Sequence, residues 1–347
     1  MDIREIAKRA RVSTATVSRT INRVPTVDPQ LAKRVWKVVD ELGYYPNTQA
    51  RALVSGKSRL FGLVVSEITN PFFPEIVHTF EELAVENGYE ILLISTVHDT
   101  KRMKTSVRRL IEQRVDGVAV FTFGMEEFLL ENLRLRDLPL VFVELGRNAP
   151  HVSNIRVDYE HGIRQAVQHL AALRHARIAF VSGPLYLPSA LARKQAFVES
   201  MSEIGLAVDP EIVVEEDHTM QGGIRAMQKL SQQRQRPTAV MCSNDMTAIG
   251  VMREAYDMGI VVPQDLSVVG FDNVRISEFM IPPLTTVEMS QAELARIAFK
   301  ALVDEIARGE TKEKGLEYRL KTSLVLRRST ALAQPLLDQT TRASSRA

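Results

Sequence analysis

Hydrophobic positions recur at helical spacing in three short segments at the start of the chain. Apolar residues at positions 3, 6, 7 and 10 share one face of a predicted first helix. A second helix is predicted over residues 14–22 behind Ser13, and a third over residues 29–42 behind Asp28, because serine and aspartate are good N-caps. A short turn between two short helices is typical of the helix-turn-helix arrangement, in which the second helix enters the major groove of DNA.

From residue 60 the pattern changes to short apolar runs separated by segments long enough for helices of ten or more residues. Examples of these runs are LFGLVVSEI, DGVAVFTF, RIAFVSGP and LSVVGFDN. Runs that are apolar on both faces and alternate with helices indicate buried parallel sheets. There are too many such runs for one compact sheet, so the sequence predicts an α/β body of two doubly wound parallel-sheet lobes behind an all-α head.

This division gives the predicted domain boundaries. The final stretch of the body should return to the first lobe and finish in the second, and three crossings between lobes would form a hinge that permits closure. The predicted segments are a head over residues 1–46, a hinge helix or linker over 47–57, a body over 58–330 and a disordered tail over 331–347. Within the body, lobe 1 is predicted over about 58–158 and 289–319, and lobe 2 over about 159–288 and 320–330.

Charge separates the head from the body. The whole chain has a formal net charge of only +2, but residues 1–59 carry 12 Lys and Arg against 5 Asp and Glu. The remaining residues carry 32 against 37. A basic head on a mildly acidic body indicates a polyanionic partner for the head.

Composition also narrows the class of protein. Cys242 is the single cysteine, which excludes a disulfide within the chain and a cysteine-based metal site, and it is expected to be a small buried hydrophobe. Charged residues stand within the first five positions and no long apolar window follows, so we expect no signal peptide and no membrane span. The expected location is the cytoplasm, in association with the nucleoid.

The predicted second helix presents a plausible DNA-reading surface. A guanidinium can form a bidentate contact with guanine, methyl groups can meet thymine methyls, and hydroxyls can reach phosphates. A solvated polar face on an ordinary helical domain is the alternative, and the charge separation favours DNA. The outward residues are Thr14, Ala15, Thr16, Ser18 and Arg19.

These residues lie in a longer stretch that resembles the lac repressor and purine repressor family of bacterial regulators. The resemblance rests on VSxxTVSRxxN, LGYxPN and ARAL, and it continues to about residue 330. Asn22 and Tyr44, within these motifs, complete the predicted DNA contacts in the head. The resemblance further implies a hinge helix that pairs with its dimer mate in the minor groove, where Leu53 would wedge between base pairs. It implies a homodimer on a pseudo-palindromic operator.

A ligand cleft is expected where the two lobes face each other, since open parallel sheets bind ligands beyond the carboxyl ends of their strands. Carboxylates and a guanidinium make directional hydrogen bonds to hydroxyls, and an aromatic face can stack on a sugar ring. The polar and aromatic residues at these strand ends therefore predict a small effector, a sugar or sugar derivative. The candidate effector-binding residues are Asn70, Phe73, Asp158, Ser189, Arg193, His218, Asn244 and Asp272.

The family resemblance implies that Arg193 grips the effector. It also reveals two departures: Leu187 stands where purine-binding members use an arginine, and His218 stands where relatives often carry an aromatic residue. The first weakens a purine assignment, and the second leaves the stacking mode open. Taken singly, Asp158 and Asn244 could also be simple helix caps.

Two other classes of function compete with an effector-controlled regulator. A solute-binding protein for transport fits the two lobes but not the basic head. A hydrolase using Asp158, Asp245 and Asp272 is the third hypothesis, but the chain has no GxSxG, Walker A, GxGxxG or HExxH run, and its seven histidines lack metal-ligand spacing. We therefore predict no catalytic residue, no metal and no cofactor.

Overall fold

The computed structural model describes residues 3–22, 24–44, 57–96, 99–122, 126–133, 138–145, 149–309 and 314–334. The chain divides into two compact units, Met1–Arg59 and Leu60–Ala347. The hinge helix predicted over residues 48–55 lies outside the described residues. Within the described ranges no helix combines the length and apolar composition needed to cross a bilayer.

The head contains three helices around a small apolar core. Its buried side chains come from all three helices, so the helices stabilise one another by packing rather than individually. The helices are α1 (Ile3–Ala10), α2 (Thr14–Ile21) and α3 (Pro29–Leu42). The core residues are Ile6, Ala7, Ala10, Val17, Ile21, Val35, Val38 and Val39.

The ends of α2 and α3 are fixed by the predicted caps. The hydroxyl of Ser13 accepts a hydrogen bond from the backbone N–H of Thr16 at 3.1 Å. The Asp28 carboxylate accepts two backbone N–H groups at the start of α3, at 2.9 and 3.0 Å. Gly43 ends α3 with a left-handed φ of 55°, a conformation that favours glycine. Each N-cap contributes about 1 kcal/mol of helix stability.

Lobe 1 is a six-stranded parallel sheet with helices on both faces. The strand order is β11-β5-β4-β3-β1-β2, and every neighbouring pair is parallel. Its strands are β1 (Leu60–Val65), β2 (Glu90–Ser95), β3 (Gly117–Phe121), β4 (Leu140–Val143), β5 (Val152–Asp158) and β11 (Glu317–Lys321). Its helices are α4 (Phe72–Glu86) and α11 (Gln291–Arg308), which pack together, and α5 (Thr100–Glu112) and α6 (Glu126–Leu133).

Lobe 2 repeats this architecture with one antiparallel edge. The strand order is β12-β10-β9-β8-β6-β7, and only the β10–β12 pair is antiparallel. Its strands are β6 (Ile178–Ser182), β7 (Val213–Glu215), β8 (Ala239–Cys242), β9 (Ser267–Asp272), β10 (Thr285–Glu288) and β12 (Ser323–Val325). Its helices are α7 (Tyr159–Ala172), α8 (Pro188–Glu203), α9 (Met220–Ser231) and α10 (Asp245–Asp257).

The chain passes between the lobes three times, between β5 and α7, between β10 and α11, and between β11 and β12. Buried Thr322 joins two of these crossings. Its hydroxyl donates to the Asp158 carbonyl at 2.5 Å and accepts the Gly162 N–H at 3.0 Å. These two crossings therefore lie side by side, as a hinge between the lobes requires.

Aromatic packing anchors the helices to each sheet. In lobe 1 the rings of Phe61 and Tyr89 stack with centroids 4.1 Å apart, and Phe299 of α11 meets Phe61 edge-on at 5.8 Å. In lobe 2, Phe180 of β6 stacks on Phe197 of α8 at 4.7 Å. These helices carry or border the side chains at the carboxyl ends of the strands, so the packing fixes those side chains as well.

The described chain continues on lobe 2 beyond residue 330, where the sequence predicts a disordered tail. The Ala331 N–H donates to the Ser267 hydroxyl at 3.0 Å, and the Ala333 N–H donates to the Leu173 carbonyl at 2.8 Å. A ring nitrogen of buried His175 also lies 3.0 Å from the Ala331 carbonyl. The segment 331–334 is ordered because lobe 2 supplies these partners, which its own composition does not reveal.

Candidate functional site

The outer face of α2 carries the candidate DNA contacts of the head. Thr14, Ala15 and Arg19 are exposed, whereas Thr16 and Ser18 are half-buried. Among the described residues nothing pairs with the Arg19 guanidinium. A free guanidinium fork on a short helix held by a buried opposite face has the chemistry needed to reach a base edge.

The other predicted DNA contacts lie outside this face. Asn22 follows the last turn of α2, where its backbone N–H donates to the Ser18 carbonyl. Its side chain is exposed. Tyr44 is half-buried against the head core. Leu53 lies outside the described residues, so its wedge role stays a prediction.

Arg34 is a head residue whose role the sequence analysis missed. Its guanidinium donates from α3 to the Ala10 carbonyl at 2.6 Å and to the Arg11 carbonyl at 2.9 Å. These carbonyls lie at the carboxyl end of α1, where helices leave acceptors unsatisfied. Arg34 therefore sets how α3 packs on α1, the helix that precedes α2 and its candidate DNA contacts.

A cavity of about 250 Å³ lies between the two lobes, beyond the carboxyl ends of the strands. This is the position expected for ligands of open parallel sheets. The volume is slightly below the range of about 300–1,000 Å³ typical of ligand pockets, which suits a small molecule. Seven of the eight predicted effector-binding residues line it, namely Asn70, Phe73, Ser189, Arg193, His218, Asn244 and Asp272.

Asp158 is the predicted residue that the structure places elsewhere. It is exposed, and its carboxylate accepts the backbone N–H of His161 at 3.1 Å as the N-cap of α7. A carboxylate used as a cap points along its own helix rather than across the cleft. We therefore remove Asp158 from the candidate effector-binding residues.

The lobe 1 wall of the cavity combines one amide with aromatic rings. The Asn70 side-chain oxygen accepts the Phe72 N–H at 3.0 Å, and its carbonyl accepts the Phe73 N–H at 3.1 Å. This turn starts α4 and fixes both rings, which meet edge-on with centroids 5.3 Å apart. The two rings give this wall a rigid apolar surface beside the Asn70 amide, and Ser66 and Glu67 add further polar groups.

Arg193 is the buried cation of the lobe 2 wall. It projects from α8, is 4% exposed, and donates through Nη1 to the Ser243 carbonyl at 2.5 Å. Its Nη2 lies 3.7 Å from an oxygen of Asp272. The guanidinium also lies over the ring of Phe271 at 4.2 Å and over that of Tyr159 at 5.1 Å. Its buried Nε has no hydrogen-bond partner among the described residues.

Asp272 supplies the facing carboxylate from the end of β9. Burial raises the pKa of Asp272 to about 7, and the nearby Arg193 opposes that rise. Its φ of 107° lies in the left-handed half of conformational space, and the following Asn273 has a φ of 55°. The Gln291 side chain holds this backbone by donating to the Asp272 carbonyl at 2.6 Å. Strained backbone of this kind is typical of binding and catalytic sites.

His218 adds a neutral ring to the same wall. Burial, aided by Arg193, lowers the pKa of His218 to about 3, so the imidazole is uncharged near neutral pH. Its Nε2 lies 2.9 Å from the Ser243 hydroxyl, and its carbonyl accepts the Asn244 side chain at 2.9 Å. The ring fits against Gly183, where any Cβ atom would overlap it.

The structure brings further residues to the cavity that the sequence analysis did not select. Leu187, noted only as a departure, is nearly buried there, and Tyr186 is 81% exposed at the rim. Behind Arg193 lie Tyr159 and Phe271, whose role depends on separate stretches of lobe 2 packing together and has no local sequence signal. The additional lining residues include Ser66, Glu67, Phe72, Asp217, Thr219 and Met289.

The site has the chemistry of a binding pocket. A guanidinium, a carboxylate, an amide and a neutral imidazole on the lobe 2 wall face two aromatic rings on the lobe 1 wall, so polar groups can fix the orientation of a ligand while rings cover it. Within the described part of the chain, no group of three or more His, Cys, Asp or Glu side chains could hold a metal ion.

Sequence comparisons relate both units to bacterial regulators. Residues 2–47 match the family described as bacterial regulatory proteins, lacI family, and residues 167–330 match a periplasmic binding protein-like domain. The chain is 34% identical over 319 residues to the HTH-type transcriptional repressor PurR of Aliivibrio salmonicida, which covers 92% of this chain and 94% of that protein. It is also 34% identical over 301 residues to catabolite control protein A of Priestia megaterium, covering 86% and 91%.

Solved structures show the same architecture. A lac repressor dimer bound to operator and the anti-inducer ONPF superposes with a TM-score of 0.82 at 27% identity, over 95% of this chain and 99% of that chain. The complex of the transcriptional regulator CelR with cellobiose gives 0.71 at 29% identity over the same shares. These similarities confirm the predicted fold class, a helix-turn-helix head with two parallel-sheet lobes.

Proposed function

We propose, because this chain belongs to the LacI family of bacterial regulatory proteins, that it binds a pseudo-palindromic operator as a homodimer under the control of a sugar-like effector. At the level of the family, the protein is a DNA-binding transcriptional repressor and not an enzyme. The identity of the effector, the residues that hold it and the dimer surface belong to the proposal.

The opposed Arg193 and Asp272 in the cavity carry the sugar assignment. Nη2 of the guanidinium lies 3.7 Å from Asp272, beyond hydrogen-bond distance, so it can donate to a ligand, and the Asp272 carboxylate accepts from hydroxyls when it is ionised. Neighbouring hydroxyls on a sugar ring present both kinds of group at a fixed spacing, and the wall around Phe73 can cover the apolar face of the ring. Sugar complexes of related regulators, with cellobiose and with ribose, support the same class of ligand.

A purine is the second candidate effector. The sequence identity of 34–35% between this chain and the repressors named PurR favours it. Against it, Leu187 is apolar and nearly buried at the position where the purine-binding members carry an arginine. A purine therefore lacks that cationic hydrogen-bond partner in this cavity.

A thermal-shift screen of the full chain distinguishes these effectors. The panel contains ribose, glucose, lactose, cellobiose, hypoxanthine and guanine, each tested on wild type, Arg193→Ala and Arg253→Ala. Arg253 is the control for loss of an arginine outside the cavity, since it is 61% exposed on α10 and paired with Asp257. We expect a sugar to stabilise wild type and Arg253→Ala but not Arg193→Ala. Stabilisation by purines alone would overturn the sugar assignment.

The homodimer has a candidate surface in the loop between β9 and β10. Ile276, Phe279 and Ile281 are 47%, 70% and 95% exposed, which is unusual for three large apolar side chains within six residues. We call these three residues the apolar loop face. A second copy of the chain is the proposed occupant, since a dimer is seen among the related repressors. Phe279→Asp should give a monomer by sedimentation, and an unchanged dimer would exclude this face.

A further inference from the structure

Arg327 holds the loop between β9 and β10 at several points. It follows β12, and its side chain is only 12% exposed. Nη2 donates to the Asn273 side-chain oxygen at 2.6 Å and to the Glu278 carboxylate at 3.0 Å. Nη1 donates to the Ser277 hydroxyl at 3.0 Å and to the Leu284 carbonyl at 2.8 Å. One guanidinium thus fixes the start, the middle and the end of this loop.

The start of the loop is the strained edge of the cavity. Asn273 directly follows Asp272, and both residues have positive φ values, 55° and 107°. The Asn273 amide also donates to Glu288 at 3.1 Å, so its side chain is clamped between Glu288 and Arg327. A displacement of the Asp272 carboxylate can therefore be transmitted to Arg327 through a single residue, Asn273.

The middle of the loop carries the apolar loop face. Ser277 is fully buried and Glu278 is exposed, and these two partners of Arg327 lie between Ile276 and Phe279. Arg327 itself neither lines the cavity nor belongs to the face. It can act on either only through the residues it holds.

We propose that Arg327 is a positioning residue that couples the effector cavity to the apolar loop face. The inference rests on the proposed homodimer. Coupling between two sites requires a contiguous set of contacts with more than one arrangement, and the strained Asp272–Asn273 backbone is the element that a ligand can shift. Because the rigid guanidinium fork binds the start, middle and end of the loop, a shift at Asn273 moves the rest of the loop with it. A flexible lysine ammonium would not couple these positions.

A double-mutant cycle on the full-length protein tests the coupling without knowledge of the effector. Asp272→Asn is the perturbation in the cavity. Asn273→Ala removes the partner of Arg327 on the cavity side and leaves the other three hydrogen bonds of the guanidinium. Glu278→Gln weakens the partner on the face side. Glu203→Gln is the matched control, since Glu203 also pairs with an arginine, Arg164, and has a similar exposure. Its carboxylate is 48% exposed and that of Glu278 is 58% exposed. Circular dichroism verifies folding, and sedimentation gives the dimer dissociation constant.

We expect Asn273→Ala and Glu278→Gln each to raise the dimer dissociation constant, Asn273→Ala by about tenfold, while Glu203→Gln leaves it unchanged. Asp272→Asn should change that constant at least about threefold in wild type and have little effect once Asn273 is alanine. Equal effects of Asp272→Asn in both backgrounds would overturn the coupling while leaving the dimer intact. A wild type that stays monomeric would instead refute the homodimer, and the coupling with it.

Discussion

Replacing Arg193 by methionine removes the cation of the cavity wall together with its hydrogen bond to the Ser243 carbonyl. The side chain is 5% exposed and lies between the rings of Phe271 and Tyr159, so an apolar chain of similar length can fill the space. The change removes the cation 3.7 Å from Asp272 without opening a void. Replacement of a buried ion-pair partner by a well-packed apolar group limits the loss of packing energy.

The sign and size of the effect follow from the pKa of Asp272. In wild type it is raised to about 7, so the folded state binds this proton more tightly than the unfolded chain does. Stability from this group therefore falls as the pH rises from about 4 to about 7, and then levels off. Without Arg193 the pKa moves higher, so the fall extends beyond pH 7 with a slope of up to about 1.4 kcal/mol per pH unit.

Urea unfolding at about pH 7 and pH 8, followed by circular dichroism, measures this slope. Wild type, Arg193→Met and the double variant Arg193→Met with Asp272→Asn are compared, since the double variant keeps every other titrating group. We expect Asp272 to cost the single variant up to about 1.4 kcal/mol between these pH values, about 1 kcal/mol more than it costs wild type, and the double variant to show none of that excess. Parallel pH dependences in all three proteins would refute the assignment of a titrating Asp272 held down by Arg193.

Three further substitutions test the head and the cavity. Arg19→Ala should weaken operator binding by about 1–3 kcal/mol and relax specificity at one base pair, which gel shifts on base-substituted operators measure; an unchanged footprint would exclude its base contact. Gly183→Ala should push the His218 ring aside and cost about 1–3 kcal/mol of unfolding free energy in urea; a wild-type midpoint would contradict the close fit. Asp28→Ala should destabilise the head by about 1 kcal/mol, read from the fluorescence of Trp36, the single tryptophan of the chain; no shift in its transition would discount the cap.

Local chemistry explains why much of the head was predictable. Ser13 and Asp28 make their cap hydrogen bonds to backbone N–H groups two or three residues away, so sequence spacing alone identifies them. Gly43 ends α3 for a similar local reason. The same locality explains Asp158, which the sequence analysis assigned to the cavity although a cap was the alternative. Its position at a strand end fits both roles, and only the direction of its side chain decides between them.

The cavity was predictable at its strand ends and less so behind them. Arg193 and Asp272 follow from the rule that ligands sit beyond parallel strands, together with the family resemblance. Tyr159 and Phe271, which flank Arg193, contact it only because two separate stretches of chain meet there. Arg327 reaches a loop about fifty residues earlier in the chain. Contacts at that separation depend on tertiary packing, which hydrophobic periodicity does not encode.

The most direct test of the account is whether a small molecule in the cleft controls a specific DNA complex. Duplexes selected from a random library by the full-length protein would be compared with random duplex by fluorescence anisotropy, with and without the compound that stabilises the protein most in the thermal-shift screen. We expect a preference of at least about 10³-fold for the selected site, and a change in that affinity of about tenfold or more when the compound is added. Equal affinity for selected and random duplex, whether or not the compound is present, would contradict the account.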